Sequence, residues 1–439
     1  MNTRQLGLAM CTALVVGNTI GMGIFMQPAA LAPYGLNALT AWIAVIVGCA
    51  SLALVFAALA RRMPQADGPF DYMRGTLGEP VAFAAMWAYW ISTVVTLPTL
   101  AVGVVGYFIS VFPASQALPP ALLSVAFMWL FVGVNLLGVK SGGRVQVITS
   151  LLKLVPLLLV MVLGTAAILG EPSAYLANLP TTPAVGLQPS MAAAAIALYA
   201  MLGFESATVA AGRARDPERT IPRATLIGTL VVAIIYVAIV GISLLLVPQA
   251  TLATADAPFV TITDSLLGAG YGRWIALFVV ISGLGCLNGW TLVVAELGRT
   301  LAIKKLVPEA MGRVNRFGVP WVGLLVIGAL GTFMGLMVYN DTLVEGFKFL
   351  SVVVAAANLP LYLCCAIAVF LLWKRVPGLA PPALWLAAVG GLAFTAFAFF
   401  GVGLVPFLCA LVLSALGLPI YFLMRRKHPL PAVAPAPRT

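Results

Sequence analysis

Apolar runs of about 20 residues, the length of a bilayer crossing, recur along almost the whole of this 439-residue chain. Inside a bilayer no water satisfies the backbone, so each such run must fold as a helix that bonds to itself. The composition agrees. With 62% hydrophobic and only 8% charged residues, the chain cannot cover a soluble surface. It reads as an all-α, polytopic membrane protein with twelve transmembrane helices. The spans fall near residues 8–32, 37–60, 80–112, 119–139, 145–169, 188–211, 223–247, 271–302, 320–338, 344–372, 383–401 and 403–424.

A net charge of +11 raises the question of an anionic partner such as nucleic acid. Its distribution answers it. Basic residues gather in alternate loops: Arg61, Arg62 and Arg74, then Lys140 and Arg144, then Arg213, Arg215, Arg219 and Arg223. The pattern continues with Arg299, Lys304, Lys305, Arg313 and Arg316, then Lys374 and Arg375, and ends with Arg425, Arg426 and Lys427. Arg273 is the clear exception. This is the positive-inside pattern of a multi-pass protein with both termini in the cytoplasm. It leaves no role for nucleic acid, and the lipid bilayer is the partner it requires. The first apolar run continues as a full span, so it is not a cleavable signal.

The six cysteines (Cys11, Cys49, Cys286, Cys364, Cys365 and Cys409) all lie in apolar spans without metal-ligand spacing. They read as small buried hydrophobes. The single histidine, His428, stands in a proline-rich tail, so a metal centre or a Ser–His catalytic pair within the spans is excluded. No enzyme and no cofactor are expected. Residues 1–427 read as one transmembrane domain, and residues 428–439 as a disordered cytoplasmic tail.

The first span is interrupted: residues 17–25 read Gly-Asn-Thr-Ile-Gly-Met-Gly-Ile-Phe. Each glycine weakens a helix, and irregular backbone at bilayer depth survives only where it is buried in protein or lines a cavity. Five spans later the sixth carries Leu-Gly-Phe-Glu-Ser-Ala over residues 202–207. Matched breaks in spans 1 and 6 predict two five-helix repeats of opposite topology, near 8–169 and 188–372, with a solute site between them and spans 11 and 12 (383–424) outside. Freed N–H groups attract a carboxylate and freed carbonyls an ammonium, so the breaks suit a small amino acid or amine. The candidate contacts are Asn18, Thr19, Ile20, Gly21, Met22 and Gly23 on one side, and Met201, Leu202, Gly203 and Glu205 on the other. The competing reading is close helix packing through small residues.

Few ionisable groups lie inside the spans. Glu205 is one, and a desolvated carboxyl there is placed to exchange a proton or to pair with a cationic substrate. A structural hydrogen bond near the end of span 6 is its alternative. Glu296, toward the basic loop, is expected to pair with Arg299. Lys153 lies nine residues past Arg144. It either snorkels to the interface or faces the bundle interior, where a fixed cation takes the place of sodium or exchanges a proton, and either interior role argues against sodium coupling. Trp290 follows a glycine-rich stretch expected to break span 8, and its ring suits an ammonium or an aliphatic side chain. Tyr89 and Tyr199 are further candidate walls, with core packing the alternative for each.

Four segments, Gly-Asn-Thr-Ile-Gly-Met-Gly-Ile-Phe (17–25), Gly-Phe-Glu-Ser-Ala-Thr-Val-Ala-Ala-Gly (203–212), Asp-Pro-Glu-Arg-Thr-Ile-Pro (216–222) and Gly-Trp-Thr-Leu (289–292), carry a resemblance in their order and spacing. The chain resembles the amino acid–polyamine–organocation (APC) transporters over essentially its whole length, and within them the basic amino-acid and polyamine antiporters. That resemblance implies a LeuT-like fold with a 5+5 inverted repeat and spans 1 and 6 unwound, and α-carboxylate and α-amine binding at the breaks. By position it implies that Glu205 is a proton-responsive gating acid and that Trp290 covers the substrate side chain. It makes Tyr89 a gate on span 3, with Thr93 and Leu97 nearby, sets Tyr199 in place of a tryptophan gate, and makes Ser351 a polar contact on span 10. Met22 departs from the pattern where serine is frequent. Leu97 departs where arginine/agmatine exchangers carry asparagine, which removes a partner for a polar substrate end. Lys153 resembles lysines on span 5 of other exchanger and proton-linked members.

The expectation is a bacterial inner-membrane, secondary active transporter of amino acids working by alternating access, an antiporter of cationic amino acids or polyamines. Proton-coupled or exchange transport of neutral amino acids is the alternative. Protons are a possible second partner, and homodimers occur among relatives.

Overall fold

The computed structural model describes residues 7–63, 66, 68–138, 151–180, 182–203, 217–375 and 382–427. Helices dominate them, in the order α1 (Leu8–Thr19), α2 (Gly23–Leu31), α3 (Asn37–Arg62), α4 (Pro69–Leu77), α5 (Glu79–Val111), α6 (Pro120–Leu136), α7 (Leu154–Gly170) and α8 (Leu187–Met201). There follow α9 (Pro217–Leu246), α10 (Pro258–Leu267), α11 (Gly272–Ile303), α12 (Trp321–Met337), α13 (Leu343–Arg375), α14 (Pro382–Gly401), α15 (Leu404–Ala415) and α16 (Gly417–Lys427). Two short helices, Pro172–Leu176 and Gln249–Ala253, lie in the connections.

Among the described residues seven helical segments are long and apolar enough to cross a membrane, and five further apolar helices run 10–17 residues. This is a multi-pass, all-helical membrane protein. Where the sequence leads one to expect only connections, the structure adds the amphipathic α4 and α10. They begin with proline in the first turn, where the missing N–H costs nothing.

Two groups of helices can be distinguished by what they touch. In one, α3 packs on α8 and α9, α1 on α9, and α2 on α8. In the other, α5 packs on α6, α11 and α12, and α6 on α11 and α12. Helix α13 lies along α5 and also reaches α8 and α14. Helix α5 is buried over most of its length, which makes it the axis against which the site is built.

Polar groups in this apolar interior are used as fasteners. The Tyr107 hydroxyl on α5 donates to Phe25 O at 2.7 Å and accepts from Phe259 N at 3.2 Å, so one side chain joins α5, α2 and α10. Gln27 Nε2 on α2 donates to Ile196 O on α8 at 2.9 Å.

The expected interruption before Trp290 is corrected by the structure: α11 is one continuous helix from Gly272 to Ile303. Its glycines serve packing instead. A Cβ on Gly283 would sit 2.5 Å from Val104 Cγ2 and 3.0 Å from Met22 Sδ. The Arg299–Glu296 pair forms as expected, at 3.2 Å.

Candidate functional site

Helix α1 stops because Ile20 turns to extended backbone (φ −70°, ψ 99°), and α2 starts only at Gly23. Helix α8 stops the same way at Leu202 (φ −61°, ψ 141°), followed by Gly203 at φ 106°, a left-handed value that glycine adopts without strain. The two interruptions face each other. A Cβ on Gly23 would lie 3.1 Å from Ala200 Cα and Cβ, tighter than an ordinary contact, so the glycine eases the close approach of the start of α2 to the end of α8.

The carbonyl end of α1 is largely occupied by the protein itself. Lys153 is 5% exposed. Its Nζ donates to Gly17 O at 2.6 Å and also to Ile20 O. The Tyr236 hydroxyl takes Thr19 O at 3.1 Å, and Ile20 N takes Val16 O at 2.9 Å. Met22, the N-cap of α2, makes no side-chain cap hydrogen bond, and at the broken end of α8 Leu202 N donates to Tyr199 O at 3.2 Å. The N-terminus of α2 therefore stands beside the C-terminus of α8, a positive and a negative end of two macrodipoles.

A cavity of about 450 Å³, its open side included, lies against this junction. Thr19, Gly21, Met22 and Gly23 line it from the first break, and Tyr199 and Leu202 from the second. Tyr89 and Thr93 on α5 and Trp290 on α11 complete the expected part of the wall. Cys286, also on α11, packs near Gly21, whose Cβ would lie 3.6 Å from its sulfur.

Other expected residues lie elsewhere. Ile20 contributes its carbonyl to Lys153 rather than a wall. Leu97, Met201 and Ser351 are fully buried outside the lining, and Ser351 Oγ donates to Lys348 O at 2.8 Å. Gly203 follows the α8 end. Asn18 occupies the last turn of α1, with its side chain outside the described residues. Glu205 lies outside the described residues altogether.

Sequence reasoning missed Ser92, Thr96 and Leu100 on α5, Ala200 on α8 and Asn358 on α13, all of which line the cavity. Asn358 Nδ2 donates to Ser92 Oγ at 3.0 Å. The hydroxyls of Thr19, Thr93 and Thr96 donate to Val15 O, Trp90 O and Ser92 O at 2.9, 2.7 and 2.9 Å. Their protons are committed, so they offer lone pairs to whatever enters. No group of three or more His, Cys, Asp or Glu with metal-holding geometry occurs among the described residues.

Comparison with known proteins agrees with this architecture. The chain is 29% identical over 338 residues to the cadaverine/lysine antiporter of Escherichia coli K12, covering 77% of this chain and 76% of the relative. It is 28% identical over 428 residues to the putrescine transporter PotE of Haemophilus influenzae, covering 95% and 97%. It is 26% identical over 436 residues to PotE of Escherichia coli K12, covering 97% and 99%. The amino acid permease family matches residues 6–423, which is nearly the whole chain. A membrane bundle whose two broken helices open onto one small cavity is therefore, in this case, a member of the amino acid permease family.

Proposed function

We propose that this chain exchanges cationic amino acids and polyamines across the bacterial inner membrane by alternating access. The observation that carries the reading is Lys153. Its ammonium, bonded to Gly17 O and to Ile20 O, supplies at the α1 break the positive charge that a coupling sodium ion would otherwise bring. The substrate carboxylate goes to the start of α2 and the α-ammonium to the carbonyl end of α8. Trp290, Tyr89 and Tyr199 close over the side chain. Glu205, two residues beyond Gly203, is the acid assigned to proton response. The similarity to cadaverine/lysine and putrescine carriers supports the choice of substrate class.

The same reading takes the five shorter apolar helices as crossings, which brings the total to twelve with both termini cytoplasmic. Contacts within the chain support an inverted repeat. Spans 1 and 2 pack with spans 6 and 7, and spans 3 and 4 with spans 8 and 9, the partners that a five-span offset demands.

Exchange of neutral amino acids is the second reading. It is favoured by one observation: no carboxylate lines the cavity among the described residues, and an unpaired cation is costly to desolvate.

Counterflow into liposomes of purified protein, without sodium, decides between them. Uptake of labelled lysine, arginine or putrescine driven by internal lysine or diamines supports the cationic antiporter. Counterflow confined to alanine and leucine replaces it with the neutral exchanger, and no counterflow for any solute rejects exchange.

A further inference from the structure

Asn358 sits inside a membrane helix, 2% exposed, and one end of its amide is tied down. Nδ2 is given to Ser92 Oγ across the α13–α5 interface, and Oδ1 has no hydrogen-bond partner. A buried amide oxygen without a partner is costly, and bilayer depth offers no bulk water to relieve it. Its neighbours in the cavity wall do not help, because the Thr93 and Thr96 protons are spent on their own helix. Across the cavity the Tyr199 hydroxyl is likewise buried and unpartnered. Asn358 Oδ1 is therefore an acceptor left open in the cavity wall, and Tyr199 adds an open hydroxyl that can donate or accept.

The α2 start and α8 end supply the groups for a carboxylate and an α-ammonium, whereas Ser92 and Asn358 come from α5 and α13. A substrate anchored by its head group at the breaks presents its side-chain terminus to this wall.

We infer that Asn358, oriented by Ser92, is the specificity-determining residue for the substrate's far end. It accepts a hydrogen bond from a donor-bearing terminus, an ammonium, hydroxyl or amide N–H, and discriminates against aliphatic and carboxylate termini. The inference rests on the cavity being the substrate site of the transport reading above. A site built to bond a donor rejects the analogue that lacks it, because its own acceptor is then left unpaired.

The test is calorimetric binding to the purified full-length protein in detergent. The ligands are lysine, 6-hydroxynorleucine, norleucine and 2-aminoadipate, which share a head group and differ at the terminus. The wild type is expected to bind lysine and 6-hydroxynorleucine at least about tenfold tighter than norleucine, with 2-aminoadipate weakest. Asn358→Leu should collapse the lysine-to-norleucine ratio to within about threefold. Asn358→Asp is nearly isosteric and keeps only acceptors, so it should raise lysine over 6-hydroxynorleucine. It carries the test if the leucine variant fails to fold. A wild-type preference for norleucine or 2-aminoadipate, binding of none of the four, or ratios that neither variant changes would overturn the inference. Flux is not part of the readout. Selective binding without counterflow removes the transport reading alone, and counterflow with selectivity indifferent to position 358 removes this inference alone.

Discussion

Lys153 reaches from the N-terminal edge of α7 to place its ammonium 2.6 Å from the carbonyl oxygen of Gly17, in the last turn of α1. The contact converts an open helix end into a capped one and fixes the position of the first break. Replacing Lys153 with Met leaves buried carbonyls without donors, each costing about 1–3 kcal/mol. Lys153→Met is expected to lower the thermal midpoint of the purified protein and to reduce counterflow at least about tenfold. Lys153→Arg, with a planar and bulkier head, should not restore it. Wild-type uptake is expected to be the same in sodium and choline buffers, and sodium stimulation of the wild type would refute the role given to this lysine.

Gly23 tests the contact between the two broken helices. A methyl group there meets Ala200 Cα at 3.1 Å, a backbone neighbour with little room to give. Gly23→Ala is expected to cost about 1–3 kcal/mol by overpacking and to impair substrate binding more than expression. Thermal shift with and without lysine separates these effects. An unaltered ligand-induced shift would show that the α2–α8 spacing does not shape the site.

Tyr107 joins three helices through one oxygen. Tyr107→Phe keeps the ring, which meets the Phe25 ring edge-on at 6.4 Å, and deletes both hydrogen bonds. Phe259 N, in the first turn of α10, is then left unsatisfied, for a loss of about 1–3 kcal/mol. A thermal midpoint indistinguishable from wild type would contradict this account.

Two ion pairs near the ends of the helices should behave differently. Asp71 pairs with Lys304 at 2.9 Å, with both side chains about a quarter exposed at 24% and 22%. Asp71→Asn is expected to change stability by less than about 1 kcal/mol. Glu79 is 9% exposed and lies between Arg74 Nε, at 3.5 Å, and Arg425. Glu79→Gln leaves two guanidinium groups facing one another and should destabilise the protein several times more. Chemical-denaturation or thermal midpoints for the two variants, compared in low and high salt, check the order.

The parts of this architecture legible in the sequence are those that membranes make rare. Glycines at 17, 21 and 23 stand out in an apolar run, and a lysine within span 5 has few possible partners, so both mark the first break. The far wall of the cavity was not legible. Leu97 was expected in it, and Thr96, one residue away, occupies it instead; one residue is a rotation of about 100° on a helix, and a uniformly apolar span gives no hydrophobic face from which to set that rotation. Ser351 and Asn358 lie two turns apart on the same face of α13, at depths differing by about 10 Å, and pattern alone does not fix depth. The continuity of α11 was missed for a related reason. Glycine reads as a break or as a packing surface according to its neighbours, and Gly283 has Val104 and Met22 against it.

The two contacts between α2 and α8 set a direction. Gly23 meets Ala200, and one turn further along Gln27 meets Ile196, so the helices pass each other antiparallel with the head of one beside the tail of the other. A zwitterion fits such a pair in one sense only. A diamine, doubly positive and lacking a carboxylate, satisfies the α8 end and leaves the α2 end without an anion. Trading one such molecule for a singly positive amino acid would move one net charge through the protein, so the work available from the membrane voltage, about 2.3 kcal/mol per 100 mV, would bear on which of the two leaves the cell.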